Sequence, residues 1–384
     1  MRRHLLVLTL ILGFVSVAAK PPSPPGQGKP PSTTTTTTAP TTTTTAPTTT
    51  TSTSTTTTVP PPPGDLCPTG SATNKIGFAN GYRYGQLSTA DRVRYMDEFA
   101  ATGAKWFRMN LEDWSLAEAQ DVIAKARERG FCVIGNLNAN PSGTHWANPP
   151  DHQAWANAAV NTFVKPLVND VTVWEIWNEP NINGFFNGNS DQYADLLHTA
   201  YVTIHQAQPW AVVATAGLAP VGNGTDPNNA VPYWTRVYAW NAKQGRQGSD
   251  QLFDAMSHHA YLYPQDPTDP ANDQDWSGFY QAKLIHDLMV SQGDGAKKVW
   301  GTETGAPSGC TYAQCITVAE AARRLPLVMQ RWNVEWGDFT GPLMWHELQE
   351  QPGVTGIEHY FGFIRGDWSH KEPLWTAYHD YATR

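Results

Sequence analysis

The sequence predicts an α/β protein built as a single (β/α)₈ barrel of the TIM type, preceded by a disordered Thr/Pro-rich stalk. After Asp65, eight short apolar runs alternate with longer amphipathic stretches, which is typical of parallel βαβ units. Polar residues gather at the C-terminal ends of nearly all these runs, where such a barrel places its functional site. No run is followed by a GxGxxG loop, which an open dinucleotide-binding sheet would usually carry.

The N-terminal segments set the boundaries of the folded part. Residues 1–19 have the features of a signal peptide, with Arg2 and Arg3 before an apolar run from Leu5 to Val17 and a small-residue end at Ala19. An uncleaved anchor is the alternative, although the run is shorter than the roughly 20 residues that a spanning helix needs. Residues 20–64 are almost all threonine and proline and lack apolar residues to offset the entropy of folding. We therefore expect a secreted protein, extracellular or cell-wall associated, with one globular domain over residues 65–384.

Eight apolar runs are the predicted strands. Most of them are rich in β-branched or aromatic residues, as strands usually are. The predicted strands are Lys75 to Gly81, Lys105 to Leu111, Phe131 to Ala139, Val171 to Trp177, Ala211 to Ala219, Phe253 to Tyr261, Lys297 to Glu303 and Gly341 to Glu347.

The amphipathic stretches between the runs predict helices. In the first stretch, Val93, Met96 and Phe99 recur at helical spacing, and Ser88 or Thr89 can cap its start. The helical candidates are Thr89 to Thr102, Leu116 to Arg129, Asp191 to Ala207, Trp276 to Ser291 and Val318 to Trp336.

Charge and cysteine content narrow the class of partner. The net charge of −8 is spread along the domain without a basic run, which argues against nucleic acid, an anionic membrane or a polyanionic substrate.

Of the four cysteines, Cys310 and Cys315 lie in one loop and predict a local disulfide. Cys67 and Cys132 either form a second bridge or remain buried thiols. The cysteine spacing offers no zinc pattern, and we expect neither a metal nor a cofactor.

Two glutamates at strand ends carry the chemistry of the predicted site. Glu179 ends the fourth strand and Glu303 the seventh, so a closed eight-stranded barrel places them across one mouth. A pair of carboxyl groups flanking a cleft is what glycoside hydrolysis requires. Glu175 lies four residues before Glu179 and faces the same side by the period of a strand. We interpret Glu175 as a barrel-interior carboxylate bonded to a basic or polar neighbour.

Four motifs give the domain a family resemblance. WNEPN after strand four, HHAY on strand six, WGTETG on strand seven and Trp345 on strand eight resemble the glycoside hydrolases of clan A, retaining enzymes with a (β/α)₈ barrel. The similarity runs from about Lys75 to the C-terminus, including the ending FGFIRGDWSHKEPLW. WEIWNEPN, the long helix with Tyr193 and TAGLAP are most similar to family 39 and its relatives, with family 5 as second choice. Family 5 often has a histidine near strand three, where this chain has Asn136 and Asn138.

The resemblance implies roles for seven residues. Glu179 would be the acid/base and Glu303 the nucleophile. Asn178 would bond the sugar 2-hydroxyl, and Arg108 would keep the nucleophile ionised, since an adjacent positive charge favours a carboxylate. The other three are His259, Tyr261 and Trp345. Of these, the Tyr261 phenol would hydrogen-bond the nucleophile, and the Trp345 indole would stack on the apolar face of the sugar.

Several residues have an alternative interpretation. Glu347, also at a strand end, is the alternative nucleophile. His258 beside His259 invites a metal site, but neighbouring strand residues point to opposite faces and no second cluster has metal-ligand spacing. Asp113 is either a helix cap before Ser115 or a sugar contact. Four tryptophans in or near predicted mouth loops are either packing residues or sugar-stacking platforms: Trp114, Trp146, Trp234 and Trp276.

The sequence therefore predicts a monomeric, secreted, retaining glycoside hydrolase that cleaves an extracellular or cell-wall polysaccharide by double displacement. A non-catalytic carbohydrate-binding barrel and a transglycosylase are the alternatives. The sugar and its linkage stay open, because specificity resides in loops rather than in the fold. The length of three mouth loops predicts a groove and endo action: Asn140 to Asp151, Asn181 to Ser190 and Tyr263 to Trp276.

Overall fold

The structure of the protein is a computed structural model. It describes Cys67, Tyr84 and the residues numbered 75–79, 87–111, 115–138, 148–350 and 355–384, all of which belong to one compact unit. The predicted signal peptide (1–19) and Thr/Pro-rich stalk (20–64) lie outside the described residues and stay predictions, as do the interpretations of Asp113, Trp114 and Trp146.

Eight parallel strands form the sheet, which confirms the predicted barrel. They are β1 Ile76–Ala79, β2 Trp106–Asn110, β3 Cys132–Leu137, β4 Val173–Ile176, β5 Val212–Thr215, β6 Met256–His259, β7 Val299–Thr304 and β8 Thr340–Trp345. Because β1 pairs with both β2 and β8, the hydrogen-bonded order is β5-β4-β3-β2-β1-β8-β7-β6. Every strand keeps its predicted position in the chain, and all eight are shorter than predicted.

Within the described residues, eight α-helices follow the strands in alternation. They are α1 Thr89–Ala101, α2 Leu116–Glu128, α3 His152–Ala159, α4 Ser190–Ala207, α5 Ala230–Lys243, α6 Gly278–Ser291, α7 Val318–Gln330 and α8 Leu374–Ala382. The sequence pattern misses α3, α5 and α8. Two of these are short, at 8 and 9 residues, and the third carries a proline in its first turn. Each of these features weakens the helical pattern.

The first helix shows what the pattern predicts well and where it fails. The Ser88 hydroxyl accepts a hydrogen bond from the backbone N–H of Asp91, as expected of an N-cap. Met96 and Phe99 are buried, as predicted. Val93 is 41 % exposed, so its expected place on the buried face is wrong, and Tyr95 is buried instead.

The barrel closes between β5 and β6 by a short seam. Ala214 and Ala255 form a single parallel bridge there. The N–H of Asp254 donates to the Val213 carbonyl at 2.7 Å, and the Asp254 carboxylate accepts from the Val213 N–H at 2.8 Å. The N–H of Thr215 donates to the Ala255 carbonyl at 3.1 Å. A side chain therefore supplies part of the ladder at this seam.

The core has two parts. One large cluster fills the space between the strands and the surrounding helices. A smaller cluster lies inside the barrel, where Trp106 and Trp300 meet edge to face with ring centroids 5.5 Å apart. Along β2 and β4 the inward positions then become polar, at Arg108 and Glu175. The lower barrel is thus an apolar plug, and its upper layer is a charged network below the mouth.

Three further predictions concern parts of the shell around the barrel. A disulfide joins Cys310 to Cys315 in the loop between β7 and α7, with Cα atoms 5.8 Å apart. Trp234 is fully buried in α5, so its interpretation as a sugar-stacking platform is wrong. In the part of the chain that the structure describes, none of the helices has the length and apolar character of a membrane span.

Candidate active site

The segment after β4 presents Glu179 through an unusual backbone. Trp177 has φ of 75° and Glu179 has φ of 43°, which are left-handed conformations that cost non-glycine residues of order 1–3 kcal/mol each. Hydrogen bonds hold this backbone conformation. The Trp177 N–H donates to the Leu137 carbonyl at 3.0 Å, and the Glu179 N–H donates to the Gly217 carbonyl at 3.1 Å. The Trp177 indole also donates to the Phe185 carbonyl at 2.7 Å. Glu179 therefore lies three residues beyond the strand, over the mouth.

Tyr193 on α4 braces the same segment from below. Its hydroxyl donates to the carbonyl of Ile176, the last residue of β4, at 2.9 Å. It also accepts from the N–H of Ala216, the residue after β5, at 2.7 Å. This one buried phenol thus ties together the ends of two neighbouring strands that lead into the site.

Glu303 stands on β7 and is held on both oxygens. Arg108 Nη1 donates to Glu303 Oε1 at 2.8 Å, and the Tyr261 hydroxyl donates to Glu303 Oε2 at 2.8 Å. Its side chain is 16 % exposed, and that of Glu179 is 13 % exposed. The structure thus places Tyr261 as the resemblance implied, with its phenol on the predicted nucleophile.

Arg108 connects the barrel interior to the mouth. It lies in the middle of β2. Its Nε donates to Glu175, and its Nη2 donates to Asn178 Oδ1 at 2.8 Å. The amide of Asn136 donates to Glu175 Oε2 at 2.7 Å. The interpretation of Glu175 as a paired interior carboxylate is confirmed, and its charge compensates part of the buried guanidinium.

His259 brings the two mouth carboxylates together. Its Nδ1 lies 2.7 Å from Glu179 Oε1 and 3.5 Å from Glu303 Oε2. One oxygen of Glu179 and one of Glu303 lie within 4.8 Å of each other. A Cβ at Gly217 would collide with the His259 ring, so only glycine leaves room for the histidine in this position. His258, the adjacent residue, points away and bonds the Gly278 carbonyl at 2.7 Å.

The charges around Glu303 determine its protonation. Burial on its own would raise the pKa of the Glu303 carboxyl, but electrostatic interactions with His259, Arg108 and His346 lower that pKa to about 2. Burial and the negative charge of Glu303 raise the pKa of the Tyr261 phenol well above its ordinary value. Glu303 is therefore a carboxylate at neutral pH, and Tyr261 is a neutral hydrogen-bond donor to it.

Two further titratable residues face the mouth without having been predicted as site residues. His346 follows β8, and its Nε2 lies 3.9 Å from Glu358 Oε2. Burial raises the pKa of Glu358, His346 opposes this, and the negative charges of Glu303 and Glu179 raise it further. The strand-end pattern could have identified His346. Glu358 lies in the loop between β8 and α8, and nothing in the sequence marks it.

The remaining predicted residues differ in how far they reach the mouth. Trp345 is the last residue of β8 and is only 8 % exposed, because it packs edge to face against Phe363. Its role as a stacking platform stays a prediction. Glu347, the alternative nucleophile, is fully buried, whereas Glu303 is partly accessible, which favours Glu303. Trp276 is 40 % exposed in the loop between β6 and α6 and remains available as a platform.

Among the described residues, Glu179, His259 and Glu303 are also the group that could hold a cation, with one ligand atom from each within 4.8 Å of the others. The Arg108 guanidinium, however, already binds Glu303 at 2.8 Å and would repel a metal ion. The arrangement therefore favours carboxylate chemistry over metal binding.

Comparison with known proteins supports the fold. No protein-family model matches the chain, and no curated protein matches it in sequence. The structure is similar to that of a family 39 glycoside hydrolase from the gut symbiont Bacteroides cellulosilyticus WH2, with a TM-score of 0.58 and 19 % identity over 81 % of this chain. It is also similar to a monomeric beta-xylosidase from Caulobacter crescentus CB15, with a TM-score of 0.58 and 16 % identity over 81 % of this chain. A third similar structure is GH5_18 from Streptomyces cattleya in complex with GlcNAc, with a TM-score of 0.59 and 13 % identity over 81 % of this chain.

The similarity covers 64 %, 68 % and 80 % of those three chains, respectively. The chain thus spans less than two thirds of the Bacteroides protein. The similarity to families 39 and 5 confirms the fold that the sequence motifs predicted. At these identities it establishes the fold, and the chemistry rests on the residues of the site.

Proposed function

We propose that the protein is a secreted, retaining glycoside hydrolase that uses Glu303 as nucleophile and Glu179 as acid/base. One observation carries the proposal: two carboxylates across the mouth have oxygens within 4.8 Å of each other, on either side of one histidine nitrogen. Retaining enzymes hold their carboxyl groups about 5–5.5 Å apart, whereas inverting enzymes need about 6.5–9.5 Å to admit a water. The short separation supports direct attack by a carboxylate.

In the first step, Glu303 attacks the anomeric carbon and forms a glycosyl ester, while the glycosidic bond breaks. Glu179 donates its proton to the leaving oxygen. The low pKa of Glu303 supports this role, because the carboxylate is available at any pH near neutrality. Its hydrogen bonds to Arg108 and Tyr261 fix its orientation towards the mouth.

In the second step, Glu179 removes a proton from a water, which attacks the anomeric carbon and releases Glu303. His259 contacts Glu179 at 2.7 Å and is a positioning residue for this exchange. Asn178 Oδ1 accepts a hydrogen bond from Arg108 Nη2, which leaves the Asn178 amide N–H groups to donate to a sugar hydroxyl. Such a contact at the 2-hydroxyl strengthens as the transition state forms.

The substrate we propose is an uncharged polysaccharide. Three carboxyl groups, Glu179, Glu303 and Glu358, face one mouth, and the nearest guanidinium, Arg108, is already paired with Glu175 and Glu303. A polyuronate would meet repulsion there. The long mouth loops support an extended groove and endo action, and the predicted signal peptide supports secretion.

The experiment is a polysaccharide panel of β-glucan, mannan, xylan and arabinogalactan, measured by reducing-end release and fragment length. We expect fragments of mixed length from one polymer, whereas release of monosaccharide alone would argue against endo action. Glu179→Gln and Glu303→Gln should each lose activity by roughly 10²–10⁴-fold or more, because each removes one of the two groups on which the chemistry depends. Glu335→Gln, an exposed glutamate on the outer helical layer, is the matched control and should keep full activity. Full activity in either of the other glutamine variants would refute the assignment.

A further inference from the structure

The two cysteines outside the disulfide lie together at the base of the barrel. Cys132 is the first residue of β3 and is 3 % exposed, at the end of the strand opposite the mouth. Cys67 is half-buried and packs against the cluster inside the barrel that contains Cys132. The two side chains are hydrogen-bonded to each other. Two residues separated by 65 positions in the chain thus bring their sulfur atoms into contact.

Further contacts hold Cys67 in this position. Its sulfur also accepts hydrogen bonds from the side chain of Thr172, which precedes β4, and from the backbone of Val133 on β3. Cys67 is therefore seated across the N-terminal ends of two adjacent strands rather than meeting Cys132 by chance. Cys67 keeps partial surface exposure, whereas Cys132 is buried, so Cys67 is the more accessible residue of the two.

We propose that Cys67 and Cys132 form a second disulfide, which ties the chain entering the barrel to the barrel base. The inference is independent of the proposed activity. The crosslink would close a loop that contains β1, α1, β2 and α2.

The hydrogen bond between the two thiols also indicates which cysteine reacts first. The hydrogen bond from the Cys132 thiol lowers the pKa of Cys67, while the same bond and burial raise the pKa of Cys132. The Cys67 thiolate would attack an external disulfide such as oxidised glutathione, forming a mixed disulfide and releasing one glutathione thiol. Cys132 would then attack the Cys67 sulfur and release a second glutathione. The two cysteine thiols are oxidised, glutathione disulfide is reduced, and both protons end on the two glutathione thiols.

The test uses the full chain carrying Cys310→Ser and Cys315→Ser, so that Cys67 and Cys132 are the only cysteines. The protein is incubated with oxidised glutathione, denatured, treated with N-ethylmaleimide and weighed by mass spectrometry. We expect no maleimide to be added before reduction and two maleimides after it, with a crosslinked peptide joining the two cysteines. Two maleimides before reduction, or two glutathione adducts without a crosslink, would overturn the proposal.

A matched variant distinguishes a crosslink from a general effect of reduction. In the same background, Cys67→Ser should take up one maleimide or one glutathione and give no crosslinked peptide. Reduction should lower the Tm of the two-cysteine protein by roughly 5–10 °C, as expected for a long closed loop, and leave the Tm of the Cys67→Ser variant unchanged. An equal fall in both proteins would also count against the crosslink.

Discussion

At the residue scale, Gly217 determines how closely His259 can approach the two carboxylates. Its carbonyl accepts the N–H of Glu179, and its missing side chain leaves space for the histidine ring. The residue belongs to TAGLAP, whose resemblance to family 39 gave no reason for a glycine at that position. Its function is steric, and it becomes visible only when β5 and β6 are placed side by side.

We expect Gly217→Ala to lower kcat/KM by on the order of 10²-fold, because the added Cβ displaces His259 from Glu179. The cost in folding should be about 1–3 kcal/mol from overpacking. The measurement is kinetics on the polymer identified by the panel, together with thermal unfolding. Gly224→Ala is the control, since its Cβ would meet the side chain of Asp275 in an exposed loop. Unchanged kinetics in Gly217→Ala would show that the position of His259 is unimportant.

Sequence motifs predict the two carboxylates at the centre of the candidate site, and they fail for the residues around them. WNEPN and WGTETG predict Glu179 and Glu303 because the chemistry requires those side chains at strand ends. Glu358 comes from a loop more than fifty residues beyond Glu303 in the chain and reaches the mouth only through the fold. The electrostatic effect of Glu358 on the site depends on the fold, so no local pattern in the sequence marks this residue.

At the scale of elements, α4 supports the strained segment after β4. The Tyr193 hydroxyl bonds two backbone groups that have no strand partner there, the Ile176 carbonyl and the Ala216 N–H. Without it, a buried carbonyl and a buried N–H at the ends of β4 and β5 would lose a hydrogen bond. The brace explains why a long helix with a tyrosine follows the glutamate motif in this chain.

Tyr193→Phe should destabilise the protein by about 1–3 kcal/mol, because a buried carbonyl and N–H would each lack a partner. It should also lower kcat, since the backbone of Trp177 and Glu179 would relax from its left-handed conformation. Denaturant unfolding and steady-state kinetics measure the two effects. Tyr312→Phe, at a ring that is 47 % exposed, is the matched control. Equal stability of the two variants would contradict the brace.

Periodicity predicts which elements exist better than where they end. The pattern places α7 up to Trp336, whereas the α-helix ends at Gln330 and continues as a π-helical turn over Arg331–Glu335. The apolar spacing continues through this turn, so the sequence does not mark the change. Trp234 shows the same limitation, because its exposure depends on the neighbouring helices and not on its own segment.

At the scale of the whole molecule, the barrel depends on the seam between β5 and β6. Asp254 Oδ2 accepts a hydrogen bond from the Val213 N–H on the neighbouring strand. The same oxygen lies 3.1 Å from His205 Nε2. The hydrogen bond to Asp254 raises the pKa of His205. A raised histidine pKa contributes stability that is fully present below the unfolded value of about 6.5 and is lost as the pH rises through the folded value.

The Tm should therefore fall between pH 6 and pH 9 by roughly 1–3 °C more in the native protein than in His205→Gln. The comparison is a thermal unfolding series in one buffer system at constant ionic strength. His286→Gln, at a ring that bonds the Gly295 carbonyl, is the control and should keep the native pH dependence. Identical pH profiles for the native protein and His205→Gln would show that the charge of His205 does not stabilise the seam.

The architecture follows from the eightfold alternation in the sequence, because each apolar run must bury two faces and each amphipathic stretch one. Closure of the barrel is less predictable. At the seam only Ala214 and Ala255 form a bridge, and a carboxylate completes the ladder. No periodic pattern describes a contact between a side chain and a backbone group across two strands.

In the proposed mechanism, Glu303 attacks the sugar while Glu179 exchanges the proton. The most direct measurement is the anomeric configuration of the azide product from dinitrophenyl glycosides. With Glu303→Gly, azide should enter the vacated space and displace the leaving group once, giving inversion. With Glu179→Ala, it should attack the glycosyl ester on Glu303 and give retention. We expect opposite anomers from the two variants, and the same anomer from both would contradict these roles of Glu303 and Glu179.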